Sequence, residues 1–377
     1  MRLLVVTELF LPTKGGTAVW FAEVYRRLGG KDIHIVTADV PGAATFDRSH
    51  PNRVHRLRLQ RHAWLRPESL LMYLKLLGTS LYIAVRHRLA AVHAGRALPE
   101  GLVAWLTGRL LRRPVLVYVH GEELTGWGRG RKFETMRYVL RHVDQVVANS
   151  DFTKQQVIAM GVVPDRVVLI SPGVDTSIFR PGLPHEDLRE QLRLAPGAKL
   201  ILSVGRLSPR KGFDQVIRAL PALRDAGIDA HHALIGVGED EERLKGLVAE
   251  LGIGDFVHLL GHVAPQDLPR WYNACDVFAM PNREIEGDTE GFGIVFLEAA
   301  ACGKPAVAGV AGGTGNAVVD GVTGLRVDGA DQSQVRAALI ELLTDENRAQ
   351  ALGRNGLART VREFSWDRVA EQTAQLV

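Results

Sequence analysis

Glu290-Gly291-Phe292-Gly293-Ile294-Val295-Phe296-Leu297-Glu298, continuing Ala-Ala-Ala-Cys302-Gly303-Lys304-Pro305, is the most informative stretch of this 377-residue chain. Two carboxylates stand eight residues apart, separated by a glycine-rich turn and the start of an apolar helix. Gly303 followed by Pro305 ends that helix, because glycine takes the left-handed cap and proline cannot continue it. The helix N-terminus offers free N–H groups and a positive dipole end to an anion. Glu290 stands just before that end and Glu298 lies within the helix, so one carboxylate can meet a sugar and the other a ribose on either side of a bound diphosphate. Short apolar strands flank the unit, at Val277–Ala279 and Ala306–Ala308. A strand, a turn, a helix and a further strand make a parallel crossover, and the fold class is α/β.

The same alternation runs outward in both directions. Toward the N-terminus the expected strands are Leu3–Thr7, Ile33–Thr37, Val54–Leu59, Ala91–Ala94, Val115–Val119, Gln145–Ala148 and Val167–Ile170, with helical patterns between most of them. Short apolar strands followed by longer amphipathic segments argue for a buried parallel sheet. Ser171-Pro172-Gly173-Val174-Asp175 then forms a turn, and Arg180-Pro181-Gly182-Leu183-Pro184 a linker. The alternation restarts at Leu200–Val204, Ala233–Ile235, Val257–Leu259, Val277–Ala279, Ala306–Ala308 and Leu325–Val327. Two doubly wound domains are expected, 1–172 and 173–359, followed by a C-terminal helical segment of about 360–377 in which Phe364-Ser365-Trp366 precedes a last amphipathic helix. The length suits two cores.

Composition narrows the class. With 46% hydrophobic and 23% charged residues the chain is an ordinary globular protein. A net charge of +4 and a pI near 9.1 are too mild for a nucleic-acid binder, and no nucleic-acid partner is expected. Cys275 and Cys302 sit in apolar surroundings and read as reduced core residues, with no disulfide framework and no metal-ligand spacing. The start of the chain leads directly into a strand and does not read as a signal peptide. Ser69–Val85 is apolar but is interrupted by Lys75 and Gly78; it reads as a core helix, not a membrane span, with a face in contact with lipid as the alternative. Arginines cluster at positions 48, 53, 56, 58, 61 and 66 beside Trp64. A second basic run, Arg129, Arg131, Lys132, Arg137 and Arg141, follows Trp127. Such patches suit an anionic membrane surface or a phosphorylated acceptor, and equally a solvated face.

Several loops follow strands, where open α/β sheets bind ligands. Gly205-Arg206-Leu-Ser-Pro-Arg210-Lys211-Gly212 places three cations within six residues, and a diphosphate wants a guanidinium fork and an ammonium together. Arg210 reads as the solvated one of the three. Pro12-Thr-Lys14-Gly15-Gly16-Thr-Ala18 puts paired glycines at a helix start, permitting close backbone approach, without the spacing of a P-loop. His120, followed by Gly121, ends an apolar strand. Asn149-Ser150-Asp151 reads as a helix cap. Ile235-Gly-Val-Gly-Glu-Asp-Glu241 lacks the third glycine of a dinucleotide fingerprint.

Together these segments resemble the retaining glycosyltransferases of family four, which have the GT-B fold: two Rossmann-like domains facing across a cleft. The motif that carries the resemblance is the pair Glu290 and Glu298 with its glycine-rich extension, close in form to the bacterial mannosyltransferase branch that includes phosphatidylinositol mannoside enzymes. Gly-Arg-Leu…Lys-Gly over 205–212 adds to it. The likeness spans nearly the whole chain, strongest from Gly205 to Gly324 and weak from Arg48 to Gly101, where acceptor specificity would lie. It implies a nucleotide diphosphate sugar as donor, GDP- or UDP-linked, no cofactor and no metal. It implies a lipid-linked or glycan acceptor, a cytoplasmic site of action at or near the inner membrane face, and a final helix that crosses back to the first domain. Arg206 and Lys211 become the diphosphate ligands, with the amides near Gly291, Phe292, Gly293 and Ile294. Glu298 takes the ribose, Glu290 the sugar hydroxyls and His120 the transferred sugar. Gly15 and Gly16 form a loop over the donor, and Val263 in Gly261-His262-Val263 lies near the base. The implied chemistry is front-face substitution, in which a donor phosphate oxygen helps deprotonate the acceptor.

Other readings fit less. A hydrolase using the two glutamates has no need of the cationic loop, and a phosphorylase would want a pyridoxal lysine site. A nucleotide-sugar-binding protein without catalysis, or a transferase acting on a small soluble acceptor, remains the alternative.

Overall fold

A computed structural model describes residues 1–13, 15–60, 69–125 and 130–376. It divides into two compact units, one formed by Met1–Pro172 with Trp366–Val377 and the other by Gly173–Ser365.

The first unit is built on a parallel sheet of seven strands: β1 Leu3–Val6, β2 Ile33–Ala38, β3 Arg53–Leu57, β4 Ala91–Ala94, β5 Val115–Val119, β6 Gln145–Ala148 and β7 Val167–Leu169. Their spatial order is β3-β2-β1-β4-β5-β6-β7. All four residues of β1 are buried, as are all five of β5. A strand covered on both faces favours apolar side chains at every position, so unbroken apolar runs such as these become central strands. The Trp366–Ala374 helix packs on the Gly16–Arg26 helix of this unit. There Arg27 donates to Asp367 at 2.8 Å, and the Tyr118 and Thr373 hydroxyls meet at 3.3 Å.

The second unit carries a parallel sheet of six strands: β8 Lys199–Val204, β9 Ala230–Ile235, β10 Val257–Gly261, β11 Val277–Met280, β12 Ala306–Gly309 and β13 Leu325–Val327. The order is β10-β9-β8-β11-β12-β13. All expected strands are present among the described residues; β3 and β8 start one residue earlier than expected and β9 three residues earlier. β9 begins at Ala230 because its two histidines are buried rather than exposed; His232 is fully covered and its Nε2 lies 2.8 Å from the Ser203 hydroxyl of β8.

The winding direction reverses between β1 and β4 in the first sheet and between β8 and β11 in the second. At such switch points the loops leaving neighbouring strands diverge and open a crevice at the carboxyl edge. The loops after β1, β4, β8 and β11 therefore lie at the places where each unit can hold a ligand.

The Leu70–Arg86 helix departs from the expected core helix. Met72, Leu76, Ser80, Ile83 and Ala84 face inward. Leu71, Leu74, Tyr82 and Val85, with Gly78 between them, form an exposed stripe along the other side. No helix of the described residues is long and apolar enough to cross a membrane.

Candidate active site

The site in the second unit starts from backbone. The loop after β8 passes through Gly205 and ends in a 3-10 turn, Pro209–Lys211, closed by Gly212 in the left-handed conformation. Gly212 is required twice over, by its φ of +73° and because a Cβ there would lie 2.0 Å from the Pro281 carbonyl oxygen. This contact brings the loop after β8 against the loop after β11. The Arg283 amide donates to the Arg210 carbonyl at 2.8 Å, and the Arg283 guanidinium grips Asp214 at 2.9 and 3.0 Å. Asn282 ties the β11 loop to the next one: it donates to the Ala311 carbonyl at 2.8 Å and accepts from the Gly309 amide at 3.1 Å.

On this frame Lys211 and Arg210 converge on Glu290. Lys211 Nζ donates to Glu290 Oε2, and Arg210 Nη1 donates to the same oxygen at 3.0 Å. Arg210 Nε also pairs with Asp288 at 3.1 Å. The Arg210 and Lys211 side chains are each 12% exposed, and Glu290 is 7% exposed. Burial opposes ionisation of Glu290, but Lys211 and then Arg210 outweigh it and hold the carboxyl below its ordinary range. Arg210, read from sequence as the solvated cation, is thus one of the buried pair. Arg206 is the exposed one, with 74% of its side chain open to solvent and Nε donating to Glu239 at 3.0 Å.

Gly293 caps the Ile294–Ala301 helix with φ +86°. A Cβ there would meet the Phe296 ring at 2.7 Å, so this tight entry needs glycine. Glu290, Gly291 and Phe292 are buried and lead directly into the cap. Glu298, one turn into the helix, is half-buried and accepts from the Tyr272 hydroxyl at 2.6 Å. Burial pushes its carboxyl up to about 7, with the Tyr272 hydrogen bond pulling the other way. Val263 is half-buried against the core, and the nearby Gly261 carbonyl accepts from the Gly236 amide at 2.8 Å, joining the loop expected near the base to the loop after β9.

In the first unit Gly15 caps the Gly16–Arg26 helix with φ +126°, and both glycines are exposed. A Cβ at Gly15 would meet nothing within 4 Å, so that backbone edge is open to a ligand. Lys14, Arg61, Trp64, Arg66, Trp127 and Arg129, named from sequence, lie outside the described residues. His120 Nε2 lies 2.8 Å from the Gly95 carbonyl and therefore carries the proton of a neutral ring. Burial lowers its pKa and keeps the imidazole uncharged. Trp20 and Phe21 stand edge-on to the ring, at 5.5 and 6.0 Å between centroids. The main chain of His120 is fixed at both ends. Its amide donates to Glu123 at 3.0 Å, and its carbonyl accepts from Asn149 at 2.9 Å. Ser150 caps the next helix by accepting from the Thr153 amide, so Asn149-Ser150 both caps and supports His120. Cys275 and Cys302 are buried free thiols, pushed up to about 12 by burial.

Two units, each a doubly wound parallel sheet, give the architecture of a glycosyltransferase of the GT-B class. Comparison with known proteins agrees. Residues 14–178 match the family described as Glycosyltransferase Family 4, and residues 184–359 match Glycosyl transferases group 1. The GDP-mannose-dependent alpha-(1-6)-phosphatidylinositol monomannoside mannosyltransferase of Mycobacterium tuberculosis is 34% identical over 391 residues, covering 100% of this chain and 98% of that one. The GDP-mannose-dependent monoacylated alpha-(1-6)-phosphatidylinositol monomannoside mannosyltransferase of Corynebacterium glutamicum is 31% identical over 386 residues, covering 100% and 97%. The crystal structure of Anabaena Alr3699/HepE in complex with UDP superposes with a TM-score of 0.85 at 22% identity, over 100% and 99% of the two chains. The chain belongs to the family-four glycosyltransferases and has the GT-B fold.

Proposed function

We propose that this glycosyltransferase moves a hexose, with mannose favoured, from a GDP-linked donor to a lipid-linked or glycan acceptor, retaining the anomeric configuration and using no metal. The observation that carries the reading is the convergence of Lys211 and Arg210 on Glu290 at the β8/β11 switch point, beside the N-terminus of the Ile294–Ala301 helix. Two cations sharing one carboxylate oxygen make a preformed site for a diphosphate. When a donor enters, its phosphates take over Lys211 and Arg210, and Arg206 turns from Glu239 to join them. Glu290 is then released to hold the sugar hydroxyls, and Glu298 takes the ribose. The cations and the helix amides stabilise the charge that builds on the leaving diphosphate, each donor contributing on the order of 3 kcal/mol. That is the role a divalent ion fills in other transferases. A neutral His120 with its backbone locked suits hydrogen bonding to the transferred sugar, not proton abstraction. Relatives named for GDP-mannose support the donor and the acceptor class; UDP in a structural neighbour keeps uridine donors in the test.

The acceptor reading extends to a membrane surface. The exposed stripe of the Leu70–Arg86 helix is flanked by exposed Lys75, Arg86 and Arg88. An apolar face with a basic border is what docks reversibly on anionic lipid.

Thermal-shift measurements against GDP-, UDP- and ADP-sugars test the donor, since a ligand that binds only the native state raises its melting temperature. GDP-mannose is expected to raise it, equally in excess EDTA. No shift with any nucleotide sugar, or a shift that EDTA abolishes and magnesium restores, overturns the reading.

A further inference from the structure

Tyr272 lies on the Leu268–Ala274 helix and is fully buried. Its ring is wedged against Phe179 and Phe278, at 5.8 and 5.6 Å between centroids, and its carbonyl accepts from the Cys275 thiol. The helix is pinned in turn. Asn273 donates to the Pro269 and Arg180 carbonyls at 2.8 and 3.0 Å, so the phenol has one position available to it. The only hydrogen bond its hydroxyl makes among the described residues is the 2.6 Å bond to Glu298 Oε2. Burial, and then the charge of Glu298, push the phenol well above its ordinary range, so it keeps its proton and donates to the Glu298 carboxylate. Glu298 Oε1 makes no hydrogen bond to a described residue.

A carboxylate on a three-torsion side chain can present either oxygen in many orientations. A rigid donor that takes one oxygen leaves a single orientation for the other. We infer that Tyr272 is a positioning residue for the donor nucleotide: its hydroxyl holds Glu298 Oε2, so that Oε1 is presented, fixed and unshared, to the ribose hydroxyls. The inference rests on the reading that Glu298 takes the ribose. It assigns to Tyr272 the discrimination between a ribonucleotide and a nucleotide that lacks those hydroxyls, and no part in the chemical step. A packing residue would affect both nucleotides alike, because both carry the same base and diphosphate. A positioning residue affects only the one whose hydroxyls meet Oε1.

The test is calorimetric binding of GDP and 2′,3′-dideoxy-GDP, repeated with the corresponding uridine pair, to the full chain at pH 8. Wild type is expected to prefer the ribonucleotide by roughly 10-fold or more, the usual range for a hydrogen bond to a charged group. Tyr272→Phe is expected to cut that preference to about threefold or less while leaving dideoxynucleotide affinity within about twofold. Glu298→Gln lowers the preference as well. In the Glu298→Gln background no buried carboxylate loses its partner, so Tyr272→Phe folds there even if the single variant does not, and it changes the preference no further. A Tyr272→Phe protein that keeps the wild-type preference, or a further change in the Glu298→Gln background, overturns the positioning role. A wild type with no preference, or a Glu298→Gln protein that retains it, overturns the ribose reading beneath.

Discussion

Arg210 and Lys211 are neighbours in sequence, yet both reach one carboxylate oxygen. In a 3-10 turn successive side chains diverge by roughly 120°, so that convergence has to be imposed from outside the turn. The Arg283 amide on the Arg210 carbonyl and Asp288 on the Arg210 guanidinium impose it. Lys211→Ala and Arg210→Ala are each expected to lower kcat by roughly 100-fold or more with the fold intact, as loss of a transition-state donor does. Arg206→Ala is expected to cost less, about tenfold, because an exposed side chain must leave Glu239 and become ordered before it can act. Steady-state kinetics on the three variants checks this ranking. The places of Glu290 and Glu298 just before and within one helix, and of Lys211 on a strand-to-helix loop, were legible in the sequence from spacing. The burial of Arg210 was not, since it depends on contacts to residues more than seventy positions away. Tyr272 was hidden for the same reason, with its partner 26 residues distant. Glu298 also carries a pH signature. Its carboxyl ordinarily titrates near 4.5 and in the fold near 7, so the folded chain holds a proton that the unfolded chain has lost. Stability therefore falls as pH rises from about 4.5 through 7, and no penalty exists below that window. Glu298→Gln is expected to raise the melting temperature at pH 8 relative to wild type and to leave it unchanged at pH 4, as a pH series of thermal melts would read. An equal shift at both pH values contradicts the assignment.

At the scale of elements, β1 and β5 were readable because strands buried on both faces are mostly apolar, and β4 and β6 because His93 and Gln145 are the single polar residues in otherwise apolar runs. The largest displaced start, in β9, came from histidines that look polar in sequence and are covered in the fold. The Leu70–Arg86 helix was half legible: its apolar character showed, but which apolar residues face outward depends on packing against β1 and β2. Leu74 is 55% and Tyr82 67% exposed. The arginine cluster divides in the same way. Arg56 is not a surface charge: it donates to Asp47 at 2.8 and 3.0 Å and to the Ala38 carbonyl at 3.0 Å, holding the Ala43–Ser49 helix against β3. Arg48, Arg53 and Arg58 are exposed. Each basic residue near an anionic surface contributes about 1 kcal/mol, screened by salt. Co-sedimentation with anionic vesicles is expected at low salt, to weaken at physiological salt, and to drop about tenfold or more for a Leu74→Ser, Tyr82→Ser double variant. A protein that stays in the supernatant with anionic vesicles at low salt points instead to a soluble acceptor.

At the scale of the molecule, the chain repeats one solution twice: a doubly wound parallel sheet whose winding reverses once. The repetition was visible in sequence as an alternation that stops near Pro172 and begins again at Leu200. Candidate residues gather at both reversals, with Gly15 and the Gly95–His120 contact in the first unit and the Lys211, Arg210 and Glu290 cluster in the second. The chemistry proposed for them is transfer, with retention, from a nucleotide diphosphate held by cations and not by a metal. The most direct measurement is mannose transfer from GDP-α-mannose to phosphatidylinositol monomannoside in vesicles, in excess EDTA, by wild type and by Lys211→Ala, with the anomeric configuration of the product read by NMR. The account predicts an α-linked product from wild type, undiminished by EDTA, and transfer slowed by roughly 100-fold or more in Lys211→Ala. A β-linked product, transfer that requires an added divalent ion, or a Lys211→Ala enzyme as fast as wild type would contradict it.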